Sequence, residues 1–125
     1  MKNIFIDTNV IIDFLGNRES FSNSATELFD LYADNKKKIF VSATSYTNVY
    51  YLMYKQIKSH KTVISLLSTL FEITELIDTN NNIISQSLHS EFLDFEDAIQ
   101  FYAALSNKKI EIIVSRDKKG FKKST

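Results

Sequence analysis

Three consecutive apolar residues, Ile4, Phe5 and Ile6, run without alternation into Asp7, Thr8 and Asn9. A strand that is apolar at every position buries both faces, which places it inside a parallel sheet covered by helices rather than at a solvated surface. Parallel strands cannot be joined by tight turns, so the rest of the chain must supply crossover helices. The polar step at Asp7 then falls at the carboxyl end of a central strand, the side on which open α/β sheets bind ligands. Asp7 has a second reading as the cap of the following helix, since Asp, Thr and Asn all satisfy exposed helix N–H groups.

The remaining pattern fits that demand. Val10 to Leu15 begins a short helix, closed by Gly16 and Asn17 as a C-cap. Between Ser22 and Asp34, Ala25, Leu28, Phe29 and Tyr32 recur at helical spacing, and Asn35 with Lys36, Lys37 and Lys38 forms the exit. A second strand covers Lys38 to Val41. Ser42 or Thr44 can cap a helix from about Ser45 to Ile57, with Val49, Leu52, Met53 and Gln56 in one stripe. Thr62 to Phe71 forms a helix around Val63, Leu66, Leu67 and Leu70, and Ile73 to Ile77 a weaker third strand. Asp78 or Thr79 caps a helix reaching about Ser90; another from Phe95 to Leu105 buries Ala98, Phe101, Tyr102 and Leu105. Ile110 to Val114 is the last strand, and it too ends in polar residues, Ser115, Arg116 and Asp117. The alternation predicts an α/β fold: a three-layer α/β/α domain around a central, mainly parallel sheet of about four to five strands. With 125 residues, no Pro and only two Gly, nothing marks a linker, and residues 1–125 read as a single domain.

Charge and composition remove several function classes. Fifteen basic residues balance fifteen acidic ones, so no overall field draws the chain onto nucleic acid or a membrane, and any nucleic-acid contact must be local. No apolar run reaches the length of a membrane span. The absence of cysteine excludes disulfides and thiolate metal sites. The apolar N-terminal run is too short for a signal peptide and is broken by Asp7, so a reducing, cytoplasmic setting is expected.

The carboxylates fall where a parallel sheet could gather them. Asp7 follows the first strand, Asp117 follows the last, and Asp94, Glu96 and Asp97 open the helix that leads back to it. Carboxylates held a few ångströms apart repel unless a cation neutralises them or one takes up a proton, so convergence would indicate a metal site. Oxygen donors without Cys or a well-placed His select Mg²⁺ or Mn²⁺ over zinc.

These residues resemble the PIN-domain family, metal-dependent ribonucleases that include the toxins of VapC-type toxin-antitoxin pairs. Ile4 to Asn9 resembles the opening motif of the family. Val41-Ser42-Ala43-Thr44-Ser45 is similar to the junction before its second acidic position, Asp94-Phe95-Glu96-Asp97-Ala98 to its third, and Ser115 to Phe121 to its fourth. The resemblance implies a metal-dependent endoribonuclease that hydrolyses RNA phosphodiester bonds, with Asp7, Asp97 and Asp117 as catalytic metal ligands and Asp94 and Asn48 as further candidates. Thr8, Asn9, Ser115 and Glu96 would support them. Glu96 and Asp97, adjacent on a helix, are expected to point to different sides, whereas Asp94 shares a face with Asp97 or serves as the helix cap. Arg116, Lys118 and Lys119 would hold RNA phosphates, or form a solvated turn. A cognate antitoxin and a second copy of the chain are the implied partners. Relatives of this type usually add a further edge strand after the fourth motif, so an exposed sheet edge that favours a homodimer is expected.

One position departs from the pattern. Where the family usually carries glutamate, this sequence has Asn48, which offers an amide oxygen but no charge. Two readings stay open: a working nuclease with a more weakly held metal, or a catalytically weakened PIN-like domain that binds RNA or a protein. A receiver-type signalling domain is disfavoured, because the first strand lacks an acidic pair. His60 and His89 are expected on polar helix surfaces. Tyr46, Tyr50, Tyr51 and Tyr54 cover more than one helix face, which suits core packing and a partner interface better than base stacking, although stacking remains chemically available.

Overall fold

The structure is a computed structural model that describes residues 2–16, 27, 29–32 and 37–115. Four strands form its sheet, β1 (Ile4–Ile6), β2 (Ile39–Ser42), β3 (Glu75–Ile77) and β4 (Ile112–Val114), all paired in parallel in the order β3-β2-β1-β4. Ile4 lies opposite Ile39 on one side and Ile112 on the other, so the opening strand is interior, as its unbroken apolar character requires.

Alternation along each strand sorts the core into two layers. Ile4, Ile6, Ile39 and Val41 face one way, against helices α1 (Thr8–Leu15), α2 (Ala43–Ile57) and α3 (His60–Ile73), with Phe29 and Tyr32 in the same cluster. Phe5 and Phe40 face the other way, against α4 (Asn81–Leu88) and α5 (Phe95–Leu105). Helices therefore cover both faces of the sheet, giving the expected three layers. Leaving β1, the chain builds outward through β2 and β3, then returns through α5 to place β4 on the opposite flank of β1. Strand order reverses between β1 and β4, so a crevice opens beyond their carboxyl ends.

Several boundaries differ from expectation for local reasons. Strand β2 runs on to Ser42, whose hydroxyl accepts from Thr44 N–H and caps α2, so that helix begins at Ala43 rather than Ser45. Ser59 caps α3, which takes in Ile73 and shortens β3 to three residues. The α4 cap is Asn80, not Asp78 or Thr79. Ser45, Val49 and Met53 form the buried stripe of α2, while Leu52 and Gln56 turn outward. On α5 the buried set is Ala98, Ile99, Gln100, Ala103 and Ala104; Phe101 and Tyr102 are half-buried and Leu105 is 59% exposed. Gly16 closes α1 with ordinary negative φ. Its need for glycine is steric, because a Cβ there would lie 2.7 Å from the Ile12 carbonyl oxygen. Asn17, Ala25 and Leu28 lie outside the described residues, as does Lys36; Lys38 pairs with Glu75.

Candidate functional site

Asp7 leaves β1 and turns directly into α1. Its Oδ1 accepts from Val10 N–H at 3.0 Å, so the cap reading holds, and its backbone N–H donates to Val114 C=O at 3.2 Å across the switch point. The second carboxylate oxygen accepts from the Ser115 hydroxyl at the end of β4. Capping consumes one carboxylate oxygen direction and the serine orients the other, which fixes a buried charge at the crevice floor.

The facing wall is the first turn of α5. Asp94 caps that helix by accepting from Asp97 N–H at 3.0 Å. One ligand atom from each of Asp94, Glu96 and Asp97 lies within 4.8 Å of the others. Adjacent positions in mid-helix would diverge. In a first turn, however, side chains lean toward the N-terminus and have no preceding turn to cover, so all three carboxylates reach the same space. Glu96 and Asp97 thus share the site instead of dividing between two sides.

Glu96 also joins the two halves of the crevice. Its Oε2 accepts from Thr8 Oγ1 at 2.9 Å and from Asn48 Nδ2 at 2.6 Å. Behind it runs a buried polar chain, in which Gln100 Nε2 donates to Ser45 Oγ at 2.8 Å and Ser45 Oγ lies 3.1 Å from Thr8 Oγ1. Because Glu96 can only accept, Thr8 must spend its proton on it, and Ser45 must donate to Thr8. The bonds therefore run in one direction, from Gln100 through Ser45 and Thr8 to Glu96. Gln100 is 1% exposed and its Oε1 has no hydrogen-bond partner among the described residues. Neither Gln100 nor Ser45 stood out as a site residue in the sequence. The available signal was a lone amide in the apolar run from Ala98 to Leu105, one helical turn after Glu96.

A cavity of about 370 Å³ opens beside this network, lined by Thr8, Asn9, Thr47, Asn48, Tyr51, Leu52 and Glu96. Asn9 is exposed on its wall. The two histidines stay apart from it, His60 bonded to the Tyr50 hydroxyl at 2.9 Å and His89 to the Ser85 carbonyl at 2.7 Å.

Residues 3–119 match the PIN domain family. The chain belongs to that family. By structure, this PIN domain is similar to VapC20 of Mycobacterium tuberculosis, described as a sarcin-ricin loop cleaving toxin. The TM-score is 0.74 at 16% identity, with 97% of this chain and 95% of that one covered. It is also similar to VapBC2 of Rickettsia felis, solved bound to a DNA fragment from its promoter, with a TM-score of 0.69, 17% identity and coverage of 96% and 91%. Comparison with curated protein sequences finds no match.

Among the expected site residues, Asp7 and Ser115 come together at the β1–β4 junction, and Thr8, Asn48 and Glu96 meet above it. Asp94 and Asp97 join Glu96, whereas the Asp7 carboxylate is not part of that three-residue group. Arg116, Asp117, Lys118 and Lys119 lie outside the described residues, one to four positions beyond Ser115. The metal-ligating groups that meet among the described residues are carboxylates, hard oxygen donors of the kind that suit Mg²⁺ or Mn²⁺.

Proposed function

We propose that this PIN domain is an endoribonuclease that hydrolyses RNA phosphodiester bonds with Mg²⁺ or Mn²⁺, and acts as the toxin of a toxin-antitoxin pair. The observation that carries the reading is the meeting of Asp94, Glu96 and Asp97, with Glu96 tied to Thr8 directly beside Asp7. Like charges that close are unfavourable unless a cation sits among them. Asp7, Asp97 and Asp117 would hold it, with Asp94, Glu96 and the Asn48 amide oxygen as further donors. When bound, a divalent ion supplies Lewis acidity toward the scissile phosphate and offsets charge on the leaving oxygen.

The residues of the chain do the positioning. Ser115 fixes the rotamer of Asp7, and Thr8 with Asn48 turns one oxygen of Glu96 inward while its other oxygen stays available. The N-termini of α1 and α5 direct their positive dipole ends toward the same crevice, which favours anionic groups there. Arg116, Lys118 and Lys119, following the carboxyl end of β4, would meet flanking phosphates.

VapC20 and the VapBC2 complex support the toxin and antitoxin parts of this reading. An antitoxin would seat apolar side chains in the cavity of about 460 Å³ lined by Tyr46, Ile64, Leu67 and Phe71, between α2 and α3. Cytoplasmic action and pairing of two copies belong to the same proposal. No helix among the described residues is long and apolar enough to cross a membrane.

The second reading, a catalytically weakened PIN-like domain that binds RNA or a protein partner, draws on Asn48, which leaves the site one carboxylate short. Cleavage of varied single-stranded RNAs in Mg²⁺ or Mn²⁺ separates the two. The enzyme reading expects cutting that stops in EDTA and in Asp7→Asn, a variant whose amide still caps α1 and so leaves the fold intact. Uncut RNA, or Asp7→Asn cutting as well as wild type, overturns it.

A further inference from the structure

The four tyrosines of α2 have different surroundings. Tyr46 packs edge-on against Phe71, with ring centroids 6.4 Å apart. Tyr50 and Tyr54 stack on each other at 5.8 Å, and Tyr50 bonds His60. Among the four, only Tyr51 lines the cavity that holds Asn48 and Glu96, and it is 61% exposed. Lys55, one helical turn further on, places its Nζ 4.6 Å from the centre of the Tyr51 ring.

We propose that this cavity is a nucleobase subsite, in which one unpaired base of the RNA lies against the Tyr51 ring while its backbone runs toward the carboxylates. Its volume of about 370 Å³ is near the lower end of small-ligand sites, roughly 300–1,000 Å³, which suits a single nucleoside. Asn9 and Thr47 present amide and hydroxyl groups to the edges of a base, and Leu52 adds apolar contact. Of the seven lining residues, Glu96 alone carries charge, so the cavity wall opposes a polyanion less than one built from several acids would. A glutamate at position 48 would add a second negative charge to that wall; Asn48 adds none. Lys55 supplies a cation beside the ring for a neighbouring phosphate. Since a paired base buries its faces in the helical stack, the subsite selects single-stranded or looped RNA.

The inference rests on the ribonuclease reading, and the test keeps the two apart. Full-length wild type, Tyr51→Phe, Tyr51→Ala and Lys55→Ala are compared by anisotropy with a fluorescein-labelled, mixed-sequence single-stranded RNA, with Ca²⁺ in place of Mg²⁺. Tyr51→Ala should weaken binding about five- to hundredfold, the worth of one base stacked on an aromatic ring. Tyr51→Phe should stay near wild type, and Lys55→Ala should weaken binding and flatten its salt dependence. In Mg²⁺, Tyr51→Ala should raise KM more than it lowers kcat. Wild-type affinity in Tyr51→Ala, with RNA still cut, overturns the subsite and leaves the nuclease standing. A fall in sedimentation mass without a change in RNA affinity also overturns it, assigning the ring to contact between copies. Failure of wild type to bind or cut RNA removes the ribonuclease reading and the subsite with it.

Discussion

Asn48 donates its side-chain amide to Oε2 of Glu96 at 2.6 Å, the oxygen that Thr8 also holds at 2.9 Å. Two donors on one carboxylate oxygen do part of what a cation does in a site built from acids alone: they stabilise the charge and fix its direction. The substitution at position 48 therefore changes the kind of ligand support and does not leave a gap.

Replacing that amide by a carboxylate reverses its effect. Asn48→Glu should cost the metal-free protein about 1–3 kcal/mol, since a donor to a charged group is lost and a like charge takes its place. Added Mn²⁺ should restore the loss and bind about tenfold more tightly than to wild type, because affinity rises with ligand charge. Calorimetric titration and thermal melts with and without Mn²⁺ read both. Equal affinity in the two proteins would place residue 48 outside the coordination sphere.

The buried chain behind Glu96 makes a different demand. Gln100→Met removes the donor to Ser45 and also the unpartnered Oε1, so global stability should stay within about 1 kcal/mol of wild type. Metal affinity should nevertheless fall, because Ser45 and Thr8 lose the donor that sets their direction. A parallel loss of several kcal/mol in urea unfolding would show that Gln100 serves packing alone.

Alkaline pH acts through two phenols. Burial pushes both Tyr32 and Tyr46 above the ordinary tyrosine value of 10.0; the nearby Glu111 charge adds to the rise at Tyr32, and the Thr74 side chain opposes it at Tyr46. Both are protonated in folded and unfolded chains below that value. Above it the unfolded chain releases its protons first, so stability is lost as pH climbs toward the higher folded values. Urea midpoints at pH 9, 10 and 11 should decline, and Tyr46→Phe should decline less steeply.

Lys58 ends α2 with φ of 56°, a left-handed conformation that costs a side-chain-bearing residue about 1–2 kcal/mol. Lys58→Gly should raise stability by roughly 0.5–1 kcal/mol after the entropy of the freer unfolded chain is counted. Thermal melts decide it, and RNA cleavage should be unchanged.

What was legible in the sequence was whatever repeats or breaks a local pattern. The apolar run at Ile4 to Ile6 implied an interior parallel strand, and the structure places it between β2 and β4. Asp94 was readable both as a cap and as a neighbour of Asp97, and it caps the helix within reach of that carboxylate. The relation of Glu96 to Thr8 and Asn48 was not readable, because it spans 88 and 48 positions and depends on how two helix starts meet across the sheet. Likewise the spacing of the α2 tyrosines showed that they cover more than one helix face but not what each face meets; their separate environments come from α3 on one side and the crevice on the other. Helix edges shifted where Ser42, Ser59 and Asn80 each won a competition among adjacent capping residues.

Asp7 and Asp94 each hold an extended backbone conformation and cap the helix that follows. Removing either cap costs about 1 kcal/mol whether or not the protein acts on anything. Selection consequently holds these two acids through capping as well as chemistry, while Glu96 and Asp97, the second and third residues of α5, cap no helix. In lineages that lose the activity, decay should begin at Glu96 and Asp97 and reach Asp7 and Asp94 last, or stop there at asparagine and serine. The order in which the acids disappear would then date the loss of function more reliably than the number that remain.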